Sequence, residues 1–248
     1  FGIQTNGTLL DDDSLEFVKS RNIGIGISLD GHDSRIADRT RKTWSGTGVF
    51  STVSEVLKRL KGYPNYNVIC TVTRENMEAL SEIVDFFHDQ EVPVCMLNPV
   101  RCTRQGARNL KPADEELVPH YLKALDRSYE HFERTGRKLL IANFANVLMG
   151  IVAPTARRLL CDISPCGGGR AFFAVAANGD LFPCSEFVGA PSFKGGNIFE
   201  GPLEQALKCE AFARCTGRKV EDIGGCATCA FRHYCGSPCP VEAHEMNG

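Results

Sequence analysis

Over its first hundred residues the chain switches repeatedly between short apolar runs and longer stretches in which apolar positions recur every three or four residues. The runs Gly2 to Thr5, Ile23 to Leu29, Asn67 to Val72 and Val92 to Leu97 have the length and composition of β-strands, the last closed by Asn98-Pro99. Between them, Asp11 to Ser20 reads as a helix with Leu15 and Val18 turned inward, opened by acidic residues that suit a helix N-terminus. Val49, Phe50, Val53, Val56, Leu57 and Leu60 share one helical face that ends at Lys61-Gly62, and Leu80, Ile83, Val84 and Phe87 form a second such stripe. Four strands alternating with three helices are the pattern of βα units on a parallel sheet, with the strands adjacent in chain order. Periodicity does not separate a doubly wound sheet from part of a (β/α) barrel. In both, ligands bind beyond the strand C-termini, here Thr5-Asn6-Gly7, Ser28-Leu29-Asp30-Gly31, Thr71-Val72-Thr73 and Asn98-Pro99.

The rhythm then changes. Residues 103–112 have loop composition, and Ala113 to about Arg134 and Leu139 to Val152 read as helices of a connector. From Cys161 onward Gly and Cys dominate, with a hairpin expected at Phe172 to Pro183 turning on Asn178-Gly179. Charge narrows the partners: 28 basic against 30 acidic side chains leave no basic excess to neutralise phosphates, so neither nucleic acid nor a membrane surface is expected. No run approaches the roughly 20 apolar residues of a spanning helix, and Phe1-Gly2-Ile3-Gln4-Thr5-Asn6-Gly7 lacks the form of a signal peptide, which places the expected location in the cytoplasm. A start within a strand and an end just past a cysteine cluster suggest a chain cut from a longer protein at both ends.

Twelve cysteines are many for such a chain, and without a secretion signal they point to metal ligation rather than disulfides. Cys70, Cys95 and Cys102 are scattered, whereas the other nine lie between Cys161 and Cys239. The informative spacing is Cys226-x2-Cys229-x5-Cys235-x3-Cys239, preceded by Cys166-x12-Gly179-x4-Cys184. Thiolates so spaced can converge on a soft metal centre, either zinc or an iron–sulfur cluster. Zinc ribbons carry two CxxC pairs, and here there is one. Cys70 and Cys95 fall in strands as core thiols, and Cys102, Cys209 and Cys215 fit no ligand spacing.

This cysteine and glycine pattern resembles the SPASM domain that follows the barrel in many radical S-adenosylmethionine (AdoMet) enzymes. Gln4-Thr5-Asn6-Gly7-Thr8-Leu9 and Ile27-Ser28-Leu29-Asp30-Gly31 are similar to the third and fourth strand ends of that family's barrel, with Asp38-x2-Arg41 and Gly46-x-Gly48-x-Phe50 following at matching separation. The resemblance implies an α/β fold: residues 1–102 as the C-terminal part of a (β/α)6 barrel, strands three to six; 103–160 as a helical connector; and 161–248 as a truncated SPASM domain. It also implies two auxiliary [4Fe–4S] clusters, one on Cys161, Cys166, Cys184 and Cys239, the other on Cys226, Cys229, Cys235 and a cysteine beyond this chain. AdoMet would contact Thr5, Asn6, Ser28, Asp30 and Arg41, although Asn6-Gly7 and Asp30-Gly31 are also ordinary turn pairs. The family's CxxxCxxC loop for the catalytic [4Fe–4S] cluster does not occur in this chain, so the chain by itself is not expected to cleave AdoMet.

What the resemblance implies for the intact protein is a radical AdoMet oxidoreductase that matures a ribosomally made, cysteine-containing precursor peptide by a thioether or related cross-link. Flavodoxin or ferredoxin would serve as electron donor. Anaerobic sulfatase maturation is the alternative within enzymes; the sulfatase-maturing branch carries an aspartate directly after the cysteine matching Cys184, where this chain has Ser185, with Glu186 one position late. A zinc-stabilised peptide-binding module is the alternative outside catalysis.

Overall fold

A computed structural model describes residues 1–103, 105–153, 155, 159–161, 163–236 and 238–247. The chain divides into two compact units, Phe1–Arg101 with Gly106–Ala145, and Cys102–Gln105 with Asn146–Gly248.

The first unit is built on five parallel strands in chain order: β1 (Gly2–Thr5), β2 (Gly24–Ser28), β3 (Tyr66–Val72), β4 (Val94–Pro99) and β5 (Leu140–Ile141). The four expected strands are thus parallel and neighbours in order. Strand β5 falls where a helix from Leu139 was expected. Only two residues pair with β4 before α6 (Ala142–Val152) begins, too few to interrupt a helical pattern in the sequence. Helices α1 (Asp12–Ser20), α3 (Phe50–Leu60) and α4 (Leu80–Asp89) bury the stripes read from the sequence: Leu15 and Val18, then Val53, Val56, Leu57 and Leu60, then Leu80, Ile83, Val84 and Phe87. These pack with Ile25, Ile27, Val68, Cys70, Cys95 and Leu97 in one core. One short helix was not expected: α2 (Ser34–Thr40) buries only Ala37, and the Asp33 carboxylate sets its start by accepting the Ile36 N–H at 3.0 Å.

Helix α5 (Asp114–Thr135) lies in the stretch read as a connector, yet Leu117, Tyr121 and Ala124 join the core of the sheet. Its polar flank makes a second joint with α4. The rings of His88 and His131 stack with centroids 4.0 Å apart. His131 Nε2 donates to Asp85 Oδ1 at 2.5 Å while its Nδ1 accepts from Arg134, and Arg127 Nε donates to the same Asp85 oxygen at 2.6 Å. Helix α5 ends at Gly136, whose left-handed φ of 70° lets its N–H reach the Phe132 carbonyl.

The second unit is stapled by loops. Its expected hairpin is present as β6 (Ala174–Val175) and β7 (Asp180–Phe182), antiparallel, with β8 (Gly196–Asn197) completing a three-stranded sheet. Gly179 turns the hairpin at φ 87°, a conformation that favours glycine. Short helices follow: α7 (Leu203–Lys208), α8 (Glu210–Thr216), α9 (Gly224–Ala227), α10 (Arg232–Cys235) and α11 (Pro240–Asn247). A small core gathers Phe182, Phe187, Phe193, Cys215 and Val241. No helix among the described residues is long and apolar enough to cross a membrane.

The histidine joint predicts a pH dependence. Burial holds His88 below the ordinary imidazole value, helped by the Arg137 guanidinium and opposed by Asp89. Asp85 is also held low: burial opposes this, but the hydrogen bonds from Arg127 and His131 outweigh it. In each case the unfolded state takes up the proton first as pH falls, so stability present at neutral pH is lost below about 6.5 for His88 and below about 4 for Asp85. The melting temperature is expected to fall between pH 7 and 5, and His88→Gln to flatten that fall. Parallel curves for the two proteins would contradict this.

Candidate functional site

Two places carry chemistry, one in each unit. In the first, the sheet is two-faced. Helices cover Ile25, Ile27, Val68 and Cys70, whereas the opposite face carries Gln4, Gly26, Ser28, Asn67, Ile69, Thr71, Met96 and Asn98. On it Ser28, Asn67, Ile69, Thr71, Met96 and Asn98 are half-buried and Gln4 is exposed. Register aligns Gln4, Gly26 and Asn67 in one row and Ser28, Ile69 and Met96 in the next. A Cβ on Gly26 would sit 3.2 to 3.3 Å from Ile69, Asn67 and Gln4, so glycine leaves that surface concave. Parallel sheets are ordinarily covered on both faces; a polar face of this kind suits a ligand.

At the strand ends, Asp30 is 4% exposed and acts as a junction. Its Oδ1 accepts the Thr71 N–H at 2.8 Å, its Oδ2 lies 2.6 Å from Arg41 Nε, and its carbonyl accepts from Asn76 Nδ2 at 2.8 Å. Asn76, which no motif singled out, also donates to the Thr71 carbonyl and accepts the Thr73 N–H, tying β2 to β3 through one buried amide. Asn143 does the same beside β4, accepting the Leu97 N–H at 2.9 Å and donating to Asn98 Oδ1 at 2.6 Å.

The five residues read as AdoMet contacts are therefore placed unequally. Ser28 lies on the polar face. Asp30 and Arg41 are brought together, but the carboxylate is spent on Arg41 and Thr71. Thr5 shares the face of Ile27 and accepts the Gly7 N–H, and Asn6 accepts the Thr8 N–H, so both make local turns. Asp38 and Gly48 of the downstream motif have a structural partnership: Asp38 Oδ1 accepts the Val49 and Phe50 N–H groups at the start of α3, and a Cβ on Gly48 would collide with that carboxylate.

In the second unit, Cys166, Cys184 and Cys239 pack around the core that contains Cys215. Gly168 is the cradle. Its N–H donates to Cys166 Sγ at 3.4 Å, and a Cβ on it would lie 3.3 Å from Cys184 Cβ and 3.6 Å from Cys215 Sγ. Cys184, just past β7, is half-buried. Burial pushes this thiol up to about 11, and Cys239 and Cys166 beside it add to the rise. Farther on, the Phe231 N–H donates to Cys229 Sγ at 3.4 Å, and the Cys229 N–H returns to the Cys226 carbonyl. Cys235 ends α10 next to Gly236, which is left-handed at φ 72°. Cys166 and Cys229 thus each accept an amide from the residue two positions on, a turn that stabilises charge on sulfur. Cys161 and Cys235 are exposed. Among the described residues no three Cys, His, Asp or Glu side chains stand in metal-holding geometry as they are. The donor set itself fits a soft centre: thiols gathered with backbone amides aimed at two of the sulfurs.

Cys70 and Cys95 are fully buried, as expected of core thiols, and burial pushes Cys95 up to about 12. Beside Cys184, a cavity of about 410 Å³ is lined by Glu186, Phe187, Pro191, Phe193, Val241 and His244, among others.

Residues 166–230 match the SPASM iron–sulfur cluster-binding domain. A parallel sheet followed by a cysteine-rich domain is the arrangement that the motifs resembled, and the comparisons bear out that resemblance. The chain is 41% identical, over its full length and 58% of the relative, to an uncharacterized protein of Archaeoglobus fulgidus. It is 26% identical, over 96% of the chain and 63% of the relative, to the cysteine-type anaerobic sulfatase-maturating enzyme of Clostridium novyi. The mycofactocin maturase MftC of Mycolicibacterium smegmatis is 24% identical over 95% of the chain and 57% of the relative. In fold, the chain matches native anSMEcpe with bound AdoMet and Cp18Cys peptide at TM-score 0.82 and 21% identity, covering 96% of this chain and 65% of that one. It matches Streptococcus suis SuiB bound to precursor peptide SuiA at TM-score 0.70 and 16% identity, covering 100% of this chain and 56% of that one. The chain therefore spans under two thirds of these proteins, and the named relatives of known activity are enzymes.

The Asp30 junction gives a direct expectation. Asp30→Asn keeps the shape but leaves Arg41 beside a neutral amide, which should cost about 2–4 kcal/mol in chemical denaturation. A loss below about 0.5 kcal/mol would show that the pair does not brace the strand ends.

Proposed function

We propose that the protein carrying this chain is a radical AdoMet maturase that modifies a ribosomally made, cysteine-containing precursor peptide in the cytoplasm. The observation that carries the reading is the amide-cradled cysteine set inside the SPASM match: Cys166 and Cys229 each accept an N–H from two residues on. Cys166, Cys184 and Cys239 would hold part of one auxiliary four-iron cluster, and Cys226, Cys229 and Cys235 part of a second. When bound with a reduced catalytic cluster, AdoMet supplies a 5′-deoxyadenosyl radical for hydrogen abstraction. This chain's share is positioning. Ser28 and its neighbours on the polar sheet face offer hydrogen bonds to a ligand, and the Asp30 junction orients Arg41 near the strand ends, where a guanidinium can meet a carboxylate. Flavodoxin or ferredoxin would deliver the electrons.

Sulfatase maturation is the second reading, favoured by the clostridial relative and by the serine-type enzyme of Bacteroides thetaiotaomicron, 26% identical over 96% of this chain and 60% of its own length. Against it stands Ser185, where that branch resembles this chain but carries an aspartate. Ser185 and Glu186 both lie exposed in the turn after Cys184, and Glu186 lines the cavity described above. Conversion of a sulfatase peptide's Cys or Ser to formylglycine by the full-length protein would favour the second reading.

Thiolate ligation should supply folding free energy to a small unit with little core of its own. Cys235→Ala in the full-length protein is expected to lower iron content and abolish peptide modification while uncoupled formation of 5′-deoxyadenosine largely survives. Full iron and normal peptide modification in that variant would remove Cys235 from the ligand set and undercut the proposal.

A further inference from the structure

Arg232 lies in the five-residue span between Cys229 and Cys235, half-buried at the start of α10. The backbone fixes it there. The Arg232 N–H and Nη1 both donate to the Cys229 carbonyl, at 3.3 and 3.1 Å, and the Arg232 carbonyl accepts the Gly236 N–H at 3.2 Å. The guanidinium is thereby folded back on the Cys229 turn, whose sulfur takes the Phe231 N–H. Its Nε is buried and, among the described residues, meets no acceptor. Two other guanidinium nitrogens are buried without a hydrogen bond, Arg41 Nε and Arg59 Nη2, but each has a carboxylate beside it, Asp30 and Asp12 respectively. Among the described residues Arg232 has no such carboxylate. A buried cationic donor with nothing to receive it is costly, and the groups that flank this one in the chain are Cys226, Cys229 and Cys235. We propose that the Arg232 Nε–H donates to a sulfur of the cluster held by these three cysteines, and that the guanidinium raises the reduction potential of that cluster. Reduction adds negative charge to a centre already surrounded by thiolates, so a cationic donor at sulfur stabilises the reduced form more than the oxidised one. The inference rests on the reading that this unit binds iron–sulfur clusters, and adds which side chain sets the potential of the second.

The test is a potentiometric titration of the anaerobically purified full-length protein, followed by electron paramagnetic resonance, for the wild type, Arg232→Gln and Arg232→Lys. Iron and acid-labile sulfide per chain are measured on the same samples. Arg232→Gln should keep the wild-type iron and sulfide and move one auxiliary signal to lower potential while the other stays. The expected shift is about tenfold in the one-electron equilibrium, or roughly 60 mV. Arg232→Lys keeps the charge without the planar fork and should fall between the two. Unchanged potentials in Arg232→Gln overturn the assignment, because no donor then acts on the cluster. Loss of one cluster's iron from both variants also overturns it, because the arginine then only holds the Cys229 turn. Either result leaves the cluster reading standing. A wild-type protein holding zinc without labile sulfide overturns both.

Discussion

Cysteine sulfurs met by backbone amides are the constraint on which the second unit turns. A thiol packed against a core is a small hydrophobe, and gathering several of them needs no explanation until the surrounding N–H groups are counted. Gly168 directs its amide at Cys166, and Phe231 directs its own at Cys229. An amide aimed at sulfur is best used when that sulfur is anionic, and buried thiolates side by side repel unless a cationic centre lies between them. The glycines follow from this requirement: Gly168 admits the sulfurs to close range, and Gly179 makes the tight hairpin that ends at Cys184. Without a centre to ligate, a core of Phe182, Phe187, Phe193, Val241 and a few cysteines is small for a unit of this length.

The first unit solves a different problem. A parallel sheet must expose its strand C-termini to act, yet those ends carry unpaired backbone groups. Asp30, Asn76 and Asn143 satisfy them from the side, the first two as buried groups that bridge β2 and β3 and the third as a half-buried amide on the end of β4. That bracing lets Gln4, Gly26, Ser28, Asn67 and Thr71 present a polar surface without the strands separating. It also explains why Asp30 stands in a motif: the residue is needed whether or not its carboxylate ever touches a ligand.

Much of this was legible in the sequence because it repeats. Strands β1 to β4 and helices α1, α3 and α4 each span four or more residues in a regular alternation, and the cysteine spacing with Gly179 carried the resemblance to a cluster-binding domain. What escaped was short or non-local. Strand β5 has two residues, α2 buries one side chain, and α5 reads as a connector because its apolar stripe does not say what it packs against. Asn76 and Asn143 are common loop residues whose roles exist only once the strand ends are adjacent.

The central claim is that the cysteine-rich unit binds iron–sulfur clusters, and metal analysis of the anaerobically purified protein tests it most directly. The account predicts a brown protein with broad visible absorption, with iron and acid-labile sulfide in equal amounts and bleaching on reduction. A colourless protein carrying zinc and no labile sulfide would contradict it.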